Sequence, residues 1–460
     1  MKNTNTLKEL KELFNRNKDK ALQDYFTFLR FKSISSEPDF KSQTLACAEW
    51  VANYLREIGF DIDLWQTPGY PTIFGNYDKA GPSQPTLLIY NHYDVQPVDP
   101  LDLWQTPPFE PNQRNGQIYA RGAQDNKGQC FYVMLALKTL MQHYGKLPIN
   151  IKLCIEGEEE CGSAGLSEIL KDKRDHLKAD YLAIVDLGLP KPTTPALTLG
   201  IRGIVAMDFI ITGTKSDIHS GSHGGLAYNP IHALTKVLAM LRDPSGKITI
   251  PGFYDDVVML SPKERSAISL EFDAKAYEEA FGAKPTGGEL EYSPLERNWM
   301  RPTLEINGIS GGYGGDGFKT VIPSKAFAKI SCRLVPKQDP QKIGQLVTQF
   351  LKSNTPEGVE AEVYIHPGSG KAMHTRPDSK AVKAFSEAYE EVFQAPCEFI
   401  YSGASIPIVT ELSAASGSEV VLLGMGLPDD LIHAPNEHFG VDRIEKGFLV
   451  ISRAIQILAK

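Results

Sequence analysis

Hydrophobic and polar positions follow two alternating patterns in the first half of the chain. Short apolar runs with the length of buried strands lie at 86–90, 149–155 and 181–185. Amphipathic helical patterns precede or separate them, at 44–58 and 127–144. Because strands that alternate with helices pair mainly in parallel, this part of the chain predicts an α/β fold with a mainly parallel sheet.

The pattern changes near residue 200. Strand-like alternation recurs at 204–212, 326–334 and 361–366, and helical patterns occur at 229–241 and 340–353. The residues at 245–320 are rich in Pro, Gly and Tyr and predict a largely irregular insertion. This order of elements is typical of a separate, smaller α+β domain.

After residue 377 the patterns of the first half return. A helix is predicted at 379–393, a buried strand at 419–423 and a terminal helix at 441–458. We therefore predict a discontinuous α/β domain formed by 1–199 and 376–460, interrupted by the α+β domain at 200–375. Residues 1–20 have the polar, helically spaced pattern of an amphipathic surface helix, which differs from a signal peptide.

Composition narrows the choice of partners and compartment. Lys and Arg total 48 and Asp and Glu total 56, which gives a net charge of −8. This deficit of basic residues disfavours nucleic acid and anionic membranes as main partners. The six cysteines are dispersed, and no run approaches the ~18 apolar residues of a membrane span. The expectation is a cytoplasmic protein with reduced thiols.

Potential metal ligands follow the predicted strands directly. His92 and Asp94 come after the first, Glu159 and Glu160 after the second, and Asp186 ends the third. Ligands bind outside the carboxyl ends of parallel strands, so these side chains are expected to converge.

Each segment has a plainer interpretation when taken alone. His92 and Asp94 form an H-x-D turn that is usually a surface feature, and Asp125 precedes a helix as an N-cap would. A run of glutamates is ordinarily solvated, Asp186 can be a turn residue, and His433 can be a loop histidine.

Together, two histidines and three carboxylates, one of them shared, suit a pair of divalent ions about 3.5–4 Å apart. Nitrogen and oxygen ligands without cysteine favour Zn²⁺, with Mn²⁺ and Co²⁺ as alternatives. Three other motifs are not supported. There is no H-E-x-x-H of a thermolysin-type zinc site, and the G-x-G-x-x-G at 312–317 is not followed by the predicted helix of a dinucleotide-binding motif. Residues 403–407 lack the last Gly of a nucleophile elbow.

Short motifs occur in a fixed order across nearly the whole chain. They lie at 92–97, 121–128, 156–163, 186, 219–225, 319–323, 333–336, 405–407 and 433–437. In this order they resemble the M20 family of di-metal peptidases, in its long dipeptidase branch with carnosinase-like enzymes.

The resemblance implies a ligand set. Asp125 would bridge two metals, with His92 and Asp186 completing one site and Glu160 and His433 the other.

The resemblance also implies catalytic roles for two acidic residues. Asp94 would orient His92, and Glu159 would be the general base that moves a proton from the attacking water to the leaving amine. The predicted activity is metal-dependent hydrolysis of dipeptides or short peptides with a free C-terminal carboxylate.

The interrupting domain resembles the family's lid and dimerisation domain, which implies a homodimer formed through it. His219 would stabilise the oxyanion and Arg333 would bind the substrate carboxylate, with Thr320, His366 and Ser405 lining the pocket. Taken alone, Arg333 can be interpreted as a surface salt-bridge partner, and His219 as a residue that caps a loop.

The sequence departs from the family at two places. Asn126 stands where many relatives have a second Asp, and 401–404 replaces a more usual Arg-Glu-Gly-Gly. Two alternatives stay open: an N-acyl-amino-acid deacylase on the same scaffold, and a catalytically silent metal-binding or interaction protein. The complete ligand set together with Glu159 weighs against the second.

Overall fold

The computed structural model describes residues 2–259 and 272–460. Its strands are β1 (Asp61–Trp65), β2 (Thr72–Tyr77), β3 (Thr86–His92), β4 (Asn112–Arg114), β5 (Gln117–Tyr119), β6 (Asn150–Glu156), β7 (Tyr181–Gly188), β8 (Ala196–Ile201), β9 (Gly203–Thr212), β10 (Ile218–His219), β11 (Thr303–Gly311), β12 (Val321–Ile322), β13 (Lys325–Leu334), β14 (Glu360–Ile365), β15 (Met373–His374), β16 (Glu398–Ser402), β17 (Glu419–Gly426) and β18 (His438–Gly440).

Helices account for much of the remaining chain. They are α1 (Lys2–Arg30), α2 (Lys41–Ile58), α3 (Lys127–Tyr144), α4 (Ala164–Leu177), α5 (Ser220–His223), α6 (Pro230–Ala239), α7 (Ala274–Phe281), α8 (Pro294–Trp299), α9 (Pro340–Ser353), α10 (Lys380–Phe393), α11 (Val409–Ser416) and α12 (Val441–Leu458). The insertion expected at 245–320 includes α7 and α8, and its residues 260–271 lie outside the described part. No helix in the described residues is long and apolar enough to cross a bilayer.

The chain forms two compact units. The larger comprises Met1–Gly200, His374–Tyr401 and Ile408–Lys460, and the smaller comprises Ile201–Met373 and Ser402–Pro407.

The larger unit contains a nine-stranded sheet. Its order is β1-β2-β6-β3-β7-β17-β8-β15, with β16 paired to β8. The four central neighbours β6, β3, β7 and β17 are parallel, whereas β1 and β2 add on antiparallel. The central strands are buried almost throughout, as expected for strands covered on both faces. The predicted α/β fold with a mainly parallel sheet is confirmed.

The smaller unit contains a four-stranded antiparallel sheet in the order β11-β13-β9-β14. Along β9 buried and half-buried residues alternate, because successive side chains point to opposite faces of a strand. The buried face of β9 (Val205, Met207, Phe209 and Ile211) joins a core with residues from α6 and α9.

The unit boundaries differ from the expected ones at 402–407. We expected this segment in the second part of the larger domain, but it groups with the smaller unit. The reason is local hydrogen bonding: Arg202 N–H donates to Ala404 O at 3.0 Å, and Ser405 Oγ donates to Gly203 O at 3.1 Å.

Candidate metal centre

Three adjacent parallel strands deliver the acidic and histidine side chains to one edge of the large sheet. His92 is the last residue of β3, Asp186 lies near the end of β7, and Glu159 and Glu160 follow β6. Asp125 lies just before α3. Because the strands are parallel, their carboxyl ends lie together, as the sequence predicts.

The first ligand group consists of His92, Asp125 and Asp186, whose ligand atoms all lie within 4.8 Å of one another. Nε2 of His92 lies 3.1 Å from Oδ1 of Asp125 and 3.7 Å from Oδ1 of Asp186. The His92 side chain is completely buried. We call this set the buried ligand group.

The second ligand group consists of Asp125, Glu160 and His433. Nε2 of His433 lies 3.0 Å from Oδ2 of Asp125 and 3.3 Å from Oε2 of Glu160. Half of the His433 side chain is exposed, so we call this set the open ligand group. Asp125 therefore offers one carboxylate oxygen to each group, which is the geometry of a bridging ligand.

Asp94 contacts residues of both ligand groups without belonging to either. Its Oδ1 lies 3.2 Å from Nδ1 of His92, which leaves Nε2 of that ring directed at Asp125. The same carboxylate accepts hydrogen bonds from the backbone N–H groups of Glu159 and Glu160, and from Ser35 Oγ at 2.6 Å. A carboxylate that orients a metal-ligating histidine in this way is a common second layer of metal sites.

Glu159 lies beside the buried ligand group. Its Oε2 is 4.0 Å from Nε2 of His92, and its side chain is largely buried. Burial raises the pKa of Glu159 well above its usual range; His92 opposes this shift, and the carboxylate of Glu160 adds to it. A carboxylate with a raised pKa next to a ligand group is suited to accept a proton.

The carboxylates of the two ligand groups lie close enough together that a bound cation would stabilise their negative charge. Burial lowers the pKa of His92, but Asp186 and Asp125 raise it well above its usual value. Burial raises the pKa of Glu160 to about 7, with Asp125 contributing. Oε1 of Glu160 is buried and has no hydrogen-bond partner among the described residues. The unpaired oxygen of Glu160 and the closely spaced carboxylates are buried polar groups that a cation would satisfy. Because all the possible ligand atoms are nitrogen or oxygen, the two groups fit divalent metal ions.

Two residues that the sequence does not mark as functional support the site. Asn126 donates from Nδ2 to Oδ1 of Asp186 at 2.5 Å and to Val185 O at 2.9 Å. Glu437, which appears in the sequence only as part of a matching motif, accepts four hydrogen bonds from the segment before α3. The available sequence signal for Glu437 is its place in the matching motif at 433–437.

The predicted substrate residues lie in the smaller unit and fall into separate local settings. His219 Nε2 and Thr320 Oγ1 are 3.4 Å apart, and both residues are exposed. His366 Nε2 pairs with Oδ1 of Asp208 at 3.0 Å. Arg333 is half-buried on β13, and Ser405 donates to the backbone of β9. Their roles stay predictions.

Sequence comparisons find peptidases along nearly the whole chain. Residues 88–457 match Peptidase family M20/M25/M40. The Cys-Gly metallodipeptidase DUG1 of Candida albicans is 33% identical over 465 residues, which cover 96% of this chain and 94% of the relative. The Beta-Ala-His dipeptidase of Mus musculus is 31% identical over 425 residues, 88% of this chain and 85% of the relative.

Structural comparison agrees. The structure of the di-peptidase Dug1p from Saccharomyces cerevisiae superposes with a TM-score of 0.90 and 29% identity, covering 98% of each chain. The predicted metallopeptidase class is confirmed, and the chain belongs to peptidase family M20/M25/M40.

Proposed function

We propose that the protein hydrolyses the peptide bond of dipeptides or short peptides with a free C-terminal carboxylate, in a metal-dependent reaction. The observation that carries this proposal is the pair of ligand groups that share Asp125, with the carboxylate of Glu159 beside them. The relatives are dipeptidases by name, which favours dipeptides over the N-acyl amino acids of a deacylase.

In the proposed reaction, the cations act on the substrate carbonyl and on the attacking water. Two divalent ions, Zn²⁺ by preference, would polarise the scissile carbonyl and make the attacking water more acidic. His92, Asp125 and Asp186 would hold one ion, and Asp125, Glu160 and His433 the other.

Residues of the chain would carry the proton steps. Glu159 would take a proton from the attacking water and pass it to the leaving amine. Its raised pKa supports this role, because the proton must be held before it is released. Asp94 would hold the His92 ring in the tautomer that leaves Nε2 unprotonated.

The proposal assigns substrate contacts to the smaller unit. Arg333 would bind the terminal carboxylate, which a guanidinium can contact with two hydrogen bonds, and His219 would stabilise the oxyanion. A homodimer formed through this unit and a cytoplasmic location are also part of the proposal. The six cysteines are all unpaired, which supports a reducing compartment.

The test is a substrate panel with metal control. Protein stripped by a chelator should be inactive and should recover with Zn²⁺, Mn²⁺ or Co²⁺. The reloaded protein should cleave Cys-Gly, β-Ala-His and other unblocked dipeptides, and leave N-acetyl amino acids intact. Preference for the N-acetyl compounds would favour the deacylase instead.

A matched variant tests the general base. Glu159→Gln keeps the volume of the side chain and should lower kcat by about 10²–10⁴-fold while two metal ions per chain stay bound. Near-normal turnover in this variant would contradict the assignment of Glu159. Absence of metal in it would mean that Glu159 is a ligand.

A further inference from the structure

The carboxylate of Glu437 lies at the centre of the segment that carries Asp125. Its Oε2 accepts hydrogen bonds from Arg121 Nη1 and Gly122 N, each at 2.8 Å. Its Oε1 accepts from Gln124 N at 2.9 Å and from Asp125 N at 3.0 Å. Glu437 is fully buried, so its ionised form depends on these donors.

This contact joins two parts of the chain that are far apart in sequence. Glu437 follows His433 by four residues, in the segment that supplies the histidine of the open ligand group. Its backbone O also accepts from Ala120 N at 3.1 Å, so the segment before α3 is fixed by backbone and side chain together. One residue thereby ties the bridging ligand to the segment that carries a second ligand.

Only a carboxylate satisfies all four donors. Each oxygen of Glu437 faces two N–H groups, and the N–H of Asp125 is among them. Glutamine has the same shape, but its Nε2 donates and would face two other donors. The position therefore requires the negative charge as well as the size of glutamate.

We infer that Glu437 is a positioning residue that fixes the backbone of Asp125, and through it the affinity of both ligand groups for metal. The inference rests on the proposed function in one respect, that Asp125 ligates both ions. Glu437 contacts Asp125 only through its backbone N–H, offers no ligand atom to either group, and takes no part in the proton steps.

The experiment measures metal binding, with Co²⁺ as the probe. Metal-stripped wild type, Glu437→Gln and a control are titrated with Co²⁺ against a chromophoric chelator, and their visible spectra are recorded. The control is Glu391→Gln, because Glu391 also forms a two-bond ion pair, with Arg453 at 2.6 and 2.9 Å, and neither residue belongs to a ligand group.

Glu437→Gln should bind Co²⁺ about 10–100-fold more weakly than the wild type and show an altered cobalt spectrum. At saturating metal its KM for a dipeptide should stay unchanged while kcat falls. Glu391→Gln should bind Co²⁺ within about twofold of the wild type. Wild-type affinity and spectrum in Glu437→Gln, or an equal loss in both variants, would overturn the inference.

A second variant covers the case in which Glu437→Gln does not fold. Arg121→Gln removes one of the four donors and keeps the three backbone N–H groups, so it should weaken Co²⁺ binding by a smaller factor. Unchanged binding in Arg121→Gln would then overturn the inference. If the wild type itself binds no Co²⁺, the proposed metal site fails, which is a distinct result.

Discussion

The two ligand groups share Asp125 but are built in different ways. The buried ligand group takes His92 and Asp186 from strands, and these side chains are 0% and 8% exposed. The open ligand group takes His433 from a loop, and that side chain is 51% exposed. Strand ends hold a ligand through the sheet, whereas a loop holds it through a few local contacts. The two groups should therefore differ in how tightly and how long they hold an ion.

The loop around His433 has an unusual backbone. Leu431, His433 and Asn436 have φ values of 56°, 59° and 67°, in the left-handed region that side chains with a Cβ rarely adopt. Asn436 anchors the loop by donating to Leu103 O at 2.9 Å and accepting from Gln105 N at 2.8 Å. Hydrogen bonds to a segment far away in sequence thus hold in place a backbone conformation that the loop alone would not favour.

The largest expected effect comes from removing each histidine. His92→Ala and His433→Ala should each lower kcat/KM by about 10³-fold or more, because each loses a ligand of one ion. His92→Ala should also destabilise the metal-free fold more than His433→Ala does, by about 2–4 kcal/mol, because the ion pairs of His92 are fully buried whereas half of the His433 side chain is exposed. Urea unfolding checks this difference. Equal destabilisation by both variants would contradict the contrast between the groups.

A smaller effect is expected in the kinetics of metal loss. A chelator should remove the two ions in two phases, with the ion of the open ligand group leaving first by about tenfold or more. The reason is that His433 is accessible, whereas His92 can release an ion only when surrounding strands move. Stopped-flow release of Co²⁺ measures both phases, and His433→Ala should lack the fast one. A single phase for the wild type would mean that the two ions leave together.

The smallest effect concerns the pH dependence of the buried side. Glu156 pairs with His92 in register, and burial raises its pKa to about 8, partly offset by hydrogen bonds from Tyr90 and Ser163. An acid whose pKa is higher in the fold than in the unfolded chain stabilises the fold at pH values below its unfolded pKa. This stabilisation is lost as the pH rises towards 8.

The metal-free wild type should therefore lose stability between pH 5 and 8 more steeply than Glu156→Gln. The difference should be about 1 kcal/mol per pH unit, and the other titrating groups cancel because both proteins contain them. Urea unfolding at several pH values measures it. Parallel slopes would mean that Glu156 is ionised in the fold.

The sequence predicts best what a long apolar run determines. The central strands β3, β6, β7 and β17 follow from such runs, because strands buried on both faces leave few polar positions. The edge strand β1 and its neighbour β2 were not predicted, since a short segment such as Asp61–Trp65 mixes charged and apolar residues.

The candidate site also contains residues that the sequence predicts and residues that it does not. His92, Glu160 and Asp186 can be predicted because His and acidic residues directly after strands form a recognisable pattern. Asp125 and His433 do not follow strands, and their ligand roles were predicted from the family resemblance. The partner of a backbone N–H cannot be predicted in this way, since any acceptor brought close by the fold can serve. Glu437 accepts from the N–H of Asp125 and Asn126 accepts from the N–H of His92, so these contacts became visible only in the structure.

The discontinuous larger unit has a consequence for synthesis of the protein. Its core includes α12, which packs against α1, α3 and α10 and follows nearly all the rest of the chain. Contacts between such distant segments form late, because a long loop must close first. His92 leaves the ribosome long before His433, so a nascent chain has only part of the ligand set. Binding of both ions would therefore require that the segment around His433 has been made and docked.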